Sequence, residues 1–146
     1  MTMNHQGMDL ISNTFKATNL LSRRGGEIVS KCKLTSVQQW LILSAIAKTD
    51  KTSLGDLCAR TMVTKQNITK MVERMKGSGL VRTYQEPEDK RYVYVELTPL
   101  GNEKLQELEV ALTELDNQVV NAFTEEELEQ FSQLLNRLIH QFTEPM

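Results

Sequence analysis

Between residues 64 and 97 the hydrophobic period of the chain switches from helical to two, and few folds accommodate that switch over so short a stretch. Thr64 stands where a helix cap is needed, and Ile68, Met71, Val72 and Met75 follow as one apolar stripe. Gly77 and Gly79 supply the stop. Leu80-Val81-Arg82-Thr83-Tyr84 then reads as a strand. Arg91 to Leu97 reads as its partner, with Val93, Val95 and Leu97 inward and Tyr92, Tyr94 and Glu96 outward. Glu86-Pro87-Glu88-Asp89-Lys90 is too polar and too bent by proline for a core, so the pair closes as a hairpin with a charged tip.

A second short helix precedes this unit. Ser53 can cap it, Asp56 lies three residues on, and Leu54, Leu57 and Cys58 point inward. Thr61-Met62-Val63 is then the turn between two helices. A short helix, a tight turn, a capped helix and a charged hairpin together predict a mainly α fold with a small β-hairpin wing: a winged helix-turn-helix lobe over residues 35–97.

Helix signals fill the rest. Residues 8–31 place Met8, Ile11, Phe15 and Leu21 near one face, and Gly25-Gly26 predicts a break or bend. Thr35 and Gln38 have capping-box spacing before a helix with Val37, Trp40, Leu41 and Ile46 as its stripe. Residues 49–52 read as a loop. Thr98-Pro99 opens a long helix with the seam Leu105, Leu108, Leu112, Leu115 and Val119. Thr124, with Glu127, caps a last one bearing Leu128, Phe131, Leu135, Leu138 and Phe142. These terminal stripes exceed what one small domain can bury, so the seams of residues 105–119 and 128–142 are expected to make the chain an obligate dimer.

Charge separates along the chain. Residues 1–59 carry net +3, residues 60–95 net +4 and residues 96–146 net −9. A phosphate-binding face belongs in the first two blocks, although acidic helices are also ordinary solvated surfaces. On the second helix of the pair, Gln66 and Asn67 are suited to base edges, while Lys65, Lys70 and Arg74 are suited to phosphates; Thr64 and Thr69 share that exposed face. The same pattern also suits an amphipathic helix with a plain polar side. A wing that docks a protein partner without binding DNA is the alternative, opposed by the basic character of this face.

Other chemistries find little footing. There is no glycine-rich phosphate loop, nucleophile elbow or metal-ligand cluster, and the two histidines, His5 and His140, lie at opposite ends of the sequence. Neither an enzyme, a cofactor nor a metal is expected. Cys32 and Cys58 have no CxxC spacing, which fits a reducing cytoplasm. Cys32 sits between Lys31 and Lys33, where positive charge can lower a thiol pKa, so it is the one redox candidate against an inert role. No apolar run reaches the roughly 18 residues of a membrane span, and residues 1–9 lack the pattern of a secretion signal.

Residues 61–101 resemble the MarR family of transcriptional regulators. The likeness is carried by Thr64-Lys65-Gln66-Asn67-Ile68-Thr69-Lys70-Met71-Val72-Glu73-Arg74-Met75 and Gly79-Leu80-Val81. It continues in the P-x-D-x-R pattern of Pro87-Glu88-Asp89-Lys90-Arg91 and the L-T-x-x-G pattern of Leu97-Thr98-Pro99-Leu100-Gly101. The resemblance implies a homodimer, joined through residues 8–31 and 99–143, that binds double-stranded DNA and represses from an inverted-repeat operator. It further implies that Arg91 enters the minor groove beside Lys90 and that Asp89 holds it in place. A small aromatic or phenolic effector is implied as well.

Overall fold

The computed structural model describes residues 5–143; residues 1–4, the first part of the stretch read for a secretion signal, lie outside it. The elements run α1 (Gln6–Lys31), α2 (Val37–Ala47), β1 (Thr52–Ser53), α3 (Leu54–Thr61), α4 (Lys65–Gly77), β2 (Val81–Glu86), β3 (Asp89–Leu97), α5 (Pro99–Asn121) and α6 (Glu125–Gln141). The chain divides into two compact units between Leu112 and Thr113.

The first unit holds the winged helix. Ile42, Leu43 and Ile46 of α2, Leu57 of α3, Ile68, Val72 and Met75 of α4, and Val81 and Val95 of the hairpin form one buried core. Val29, Leu105 and Leu108 complete it from α1 and α5. The three-stranded antiparallel sheet has the order β1-β3-β2.

The helix-turn-helix forms as its sequence dictates. Ser53 and Asp56 make a reciprocal capping box, each side chain bonding the other residue's backbone N–H at 3.0 and 2.9 Å. Met62 turns the chain at φ 58°, and Thr64 caps α4 by accepting from the Asn67 N–H. At the far end Gly79 adopts φ +78°, which lets the Leu80 N–H reach the Met75 carbonyl and the Gly79 N–H reach that of Lys76.

Several local expectations are corrected. Gly25-Gly26 does not break α1, which is continuous through both. A Cβ on Gly25 would lie 2.9 Å from Val37 Cγ2, so the missing side chain admits α2 at close range. Thr35 and Gln38 form no capping box. The cap position is Ser36, and it is Gln39 that reaches back, its Oε1 accepting from the Thr35 N–H at 2.8 Å. Leu41 is exposed, because the buried face of α2 is led by Gln39, Ile42, Leu43, Ala45 and Ile46.

Residues 49–52 are not wholly a loop. Thr52 and Ser53 pair with Val95 and Tyr94, a strand too short to announce itself by alternation. The hairpin tip is also tighter than expected: only Pro87 and Glu88 lie between the strands, since β2 and β3 extend into the charged segment.

The α5 seam divides functionally along its length. Leu105 and Leu108 are buried in the first unit's core, whereas Val119 is exposed. In the second unit α6 starts from the Thr124–Glu127 capping box, buries no residue, and leaves Phe131, Leu135 and Phe142 exposed. Phe123 and Phe131 meet edge to face at 5.4 Å.

Candidate nucleic-acid interface

The candidate surface is built on α4 and the wing, both in the first unit. Burying Ile68, Val72 and Met75 fixes the rotation of α4, and helical geometry then turns Lys65, Gln66, Asn67, Thr69, Lys70 and Arg74 to solvent. All six are exposed. This face carries three cations and no carboxylate from these positions, so it is polar and basic rather than apolar. Thr64, also exposed, is committed to the cap. Thr69 donates its hydroxyl proton to the Lys65 carbonyl at 2.9 Å, which leaves it as an acceptor on the surface.

The wing arginine is held by a fork. Arg91 Nε donates to Asp89 Oδ1 and Nη2 donates to Oδ2, both at 2.9 Å, and the Arg91 backbone N–H donates to Oδ1 at 3.1 Å. Three donors on one carboxylate restrict both the backbone and the side chain of Arg91. The Arg91 side chain nevertheless stays 78% exposed. Its hydrogen bonds, side chain first and backbone second, hold the Asp89 carboxyl below its ordinary pKa, so the fork remains charged at neutral pH. Arg91 also lies 5.5 Å from the Tyr92 ring centroid. Lys90 is exposed beside it, and its carbonyl accepts from Gln85 Nε2 at 3.0 Å.

Cys32 does not meet the condition set for a reactive thiol. It is buried, and burial pushes its pKa up, reinforced by the charge of Glu107 and a hydrogen bond to it. Lys31 and Lys33 flank it in sequence, but Glu107 approaches from α5. Lys104, the cation that acts in the opposite sense, donates to the Cys32 carbonyl at 2.8 Å.

Residues overlooked in the sequence are Lys51, beside the root of the wing, and Arg60. Arg60 Nη1 donates to the Ala45 carbonyl and Thr49 Oγ1, both at 3.1 Å, tying α3 to the end of α2. Neither follows a periodic pattern, since each partner is distant in sequence. Among the described residues no group of three or more His, Cys, Asp or Glu is placed to hold a metal ion, and no helix is long and apolar enough to cross a membrane.

Known proteins resemble this chain in sequence and in fold. The sequence profile of the MarR family matches residues 34–91. The chain is 30% identical over 112 residues to the homoprotocatechuate degradative operon repressor of Escherichia coli, covering 77% of this chain and 75% of the repressor. It is 27% identical over 104 residues to the HTH-type transcriptional repressor IacR of Pseudomonas putida, covering 71% of this chain but only 62% of that repressor. The crystal structure of the transcriptional regulator BldR from Sulfolobus solfataricus superposes with a TM-score of 0.80 at 28% identity, covering 94% of this chain and 99% of BldR.

Proposed function

The chain belongs to the MarR family of DNA-binding transcription regulators, and from that premise we propose that it is a cytoplasmic, homodimeric repressor of an inverted-repeat operator. The observation that carries this reading is the pairing of a basic, exposed α4 face with an exposed arginine fixed by a carboxylate on the adjoining wing. A major groove admits an α-helix and presents a distinct pattern for each base pair. A narrow minor groove concentrates negative potential and attracts a guanidinium. Residues 35–97 form the DNA-binding lobe.

Dimerisation falls to residues 8–31 and 99–143. Supporting this are the exposed Met8, Ile11 and Phe15 of α1, Phe131 and Leu135 of α6, and Phe142 at the α6 C-cap. Burying a Leu or Phe side chain is worth roughly 1.5–3 kcal/mol, so association gives these faces a use. Two copies related by a two-fold axis then require half-sites about one helical turn apart. Release by a small aromatic acid is the regulatory half of the reading. It draws on the relative that represses a homoprotocatechuate degradative operon.

Substitutions on α4 test the assignment. Gln66→Ala or Asn67→Ala is expected to relax sequence preference at the bases it reads. Lys70→Ala is expected to weaken specific and non-specific duplexes alike and to reduce the slope of log affinity against log salt by about one per protomer. Binding measured across salt on matched and mismatched duplexes separates these outcomes. A Lys70→Ala protein with altered specificity and an unchanged salt slope contradicts the assignment. The same assay with homoprotocatechuate added decides the effector: affinity unmoved at saturating ligand removes that acid from the account.

A further inference from the structure

The ladder of the wing does not reach its tip in register. Pairing is regular from Val81↔Leu97 to Tyr84↔Tyr94, and the register then shifts before the Glu86↔Asp89 pair. Between those pairs Gln85 stands opposite residues 90–93, a bulged stretch that includes Arg91. The ladder is broken there, and within the hairpin a side chain rather than a ladder pair crosses the break, Gln85 Nε2 donating to the Lys90 carbonyl at 3.0 Å.

Lys51 spans that irregularity from outside the hairpin. Its Nζ donates to Glu86 Oε1, on the far side of the register shift. The same Nζ lies 4.4 Å from the centroid of the Tyr94 ring, and Tyr94 stacks on Tyr84 at 5.4 Å, which is the last regular pair. Lys51 thus touches the last regular rung and the first pair beyond the shift. Its own position is fixed by the next two residues: Thr52 and Ser53 are buried and paired to β3, and Ser53 caps α3. The Asp89 carboxylate, held ionised first by Arg91, is also close enough to feel the charge of Lys51.

We propose that Lys51 is a positioning residue for the wing, its bridge from Tyr94 to Glu86 tying the tip to the helix-turn-helix and so setting where Arg91 meets DNA. The proposal rests on the DNA-binding reading above. It makes Glu86, an acidic residue near a phosphate-binding surface, favourable for binding. Simple electrostatics gives the opposite sign, because removing a carboxylate lessens repulsion from DNA.

Glu86→Ala, which removes the acceptor as well as the charge, uses that difference. The probe is the duplex that the full-length wild-type protein selects from a randomised pool. Side chains of the pair are 44% and 41% exposed, so its loss changes stability little and the variant melts with wild type. Binding is expected to weaken roughly threefold to tenfold, the cost of immobilising a freed tip on DNA. In an Arg91→Ala background the same substitution is expected to bring no further weakening, because the group being positioned is gone. Binding by Glu86→Ala as tight as or tighter than wild type overturns the proposal, as does an equal weakening in both backgrounds. If Arg91→Ala itself binds like wild type, the wing has no part in DNA binding; that result sinks the wing reading first and the Lys51 proposal with it.

Discussion

Arg91→Ala is expected to weaken binding to the selected operator by about 30-fold or more while folding and melting like the wild-type chain. One specific arginine contact is worth about 1–3 kcal/mol, and a dimer presents two, so even the low end is about 2 kcal/mol, or roughly 30-fold. Stability is spared because the Arg91 side chain is 78% exposed and its partner is a surface carboxylate. Asp89→Ala is expected to fall between the two. It frees the Arg91 side chain and backbone from the fork at 2.9 Å without deleting the cation. Fluorescence anisotropy on one duplex at physiological salt gives the ranking. Arg91→Ala binding as tightly as wild type would reduce the hairpin to a cover over the helix-turn-helix.

Gly101→Ala is expected to damage the fold itself. A Cβ at this position would stand 2.0 Å from the Leu80 carbonyl oxygen and 3.0 Å from its carbon, and both are backbone atoms that no rotamer change can move. That carbonyl already accepts from the Thr98 N–H at 3.1 Å, while the Leu80 N–H donates to Met75 at the end of α4. Relief of the clash must therefore disturb the end of the recognition helix, the start of β2 and the start of α5 together. Overpacking costs typically 1–3 kcal/mol, and a backbone obstacle places this case at about 3 kcal/mol or above. The melting temperature should then fall by roughly 10 °C. Gly77→Ala is the control, since no atom lies within 4 Å of its added Cβ; it should melt at or slightly above wild type. Equal melting of the Gly101 and Gly77 variants would mean that α5 does not approach Leu80 as described.

What could be read in the sequence was what neighbouring residues determine among themselves. The Ser53–Asp56 and Thr124–Glu127 boxes, the Thr64 cap and the alternation in residues 91–97 are local, and the elements they announce are present. The Asp89–Arg91 fork spans two residues and is implied by the family resemblance alone; its bidentate geometry belongs to the folded wing. Partners far apart in sequence were out of reach. Gly25 looked like a helix breaker because its reason is Val37 on another helix. Cys32 looked electropositive because Glu107 is invisible at a separation of 75 residues. The α5 seam looked uniform, although its early leucines serve the chain's own core and its later residues do not. Lys51 offered no signal at all, since both of its contacts, Glu86 and Tyr94, are on the wing.

The central claim is that two copies of this chain read a DNA sequence together, each through α4 and its wing. Selection from a pool of randomised duplexes by the purified full-length protein tests it directly. The account predicts one enriched motif, an inverted repeat whose half-sites lie about 10 base pairs apart from centre to centre, bound by a dimer. A pool that remains unenriched after repeated rounds, or a single half-site bound by one copy, would contradict it.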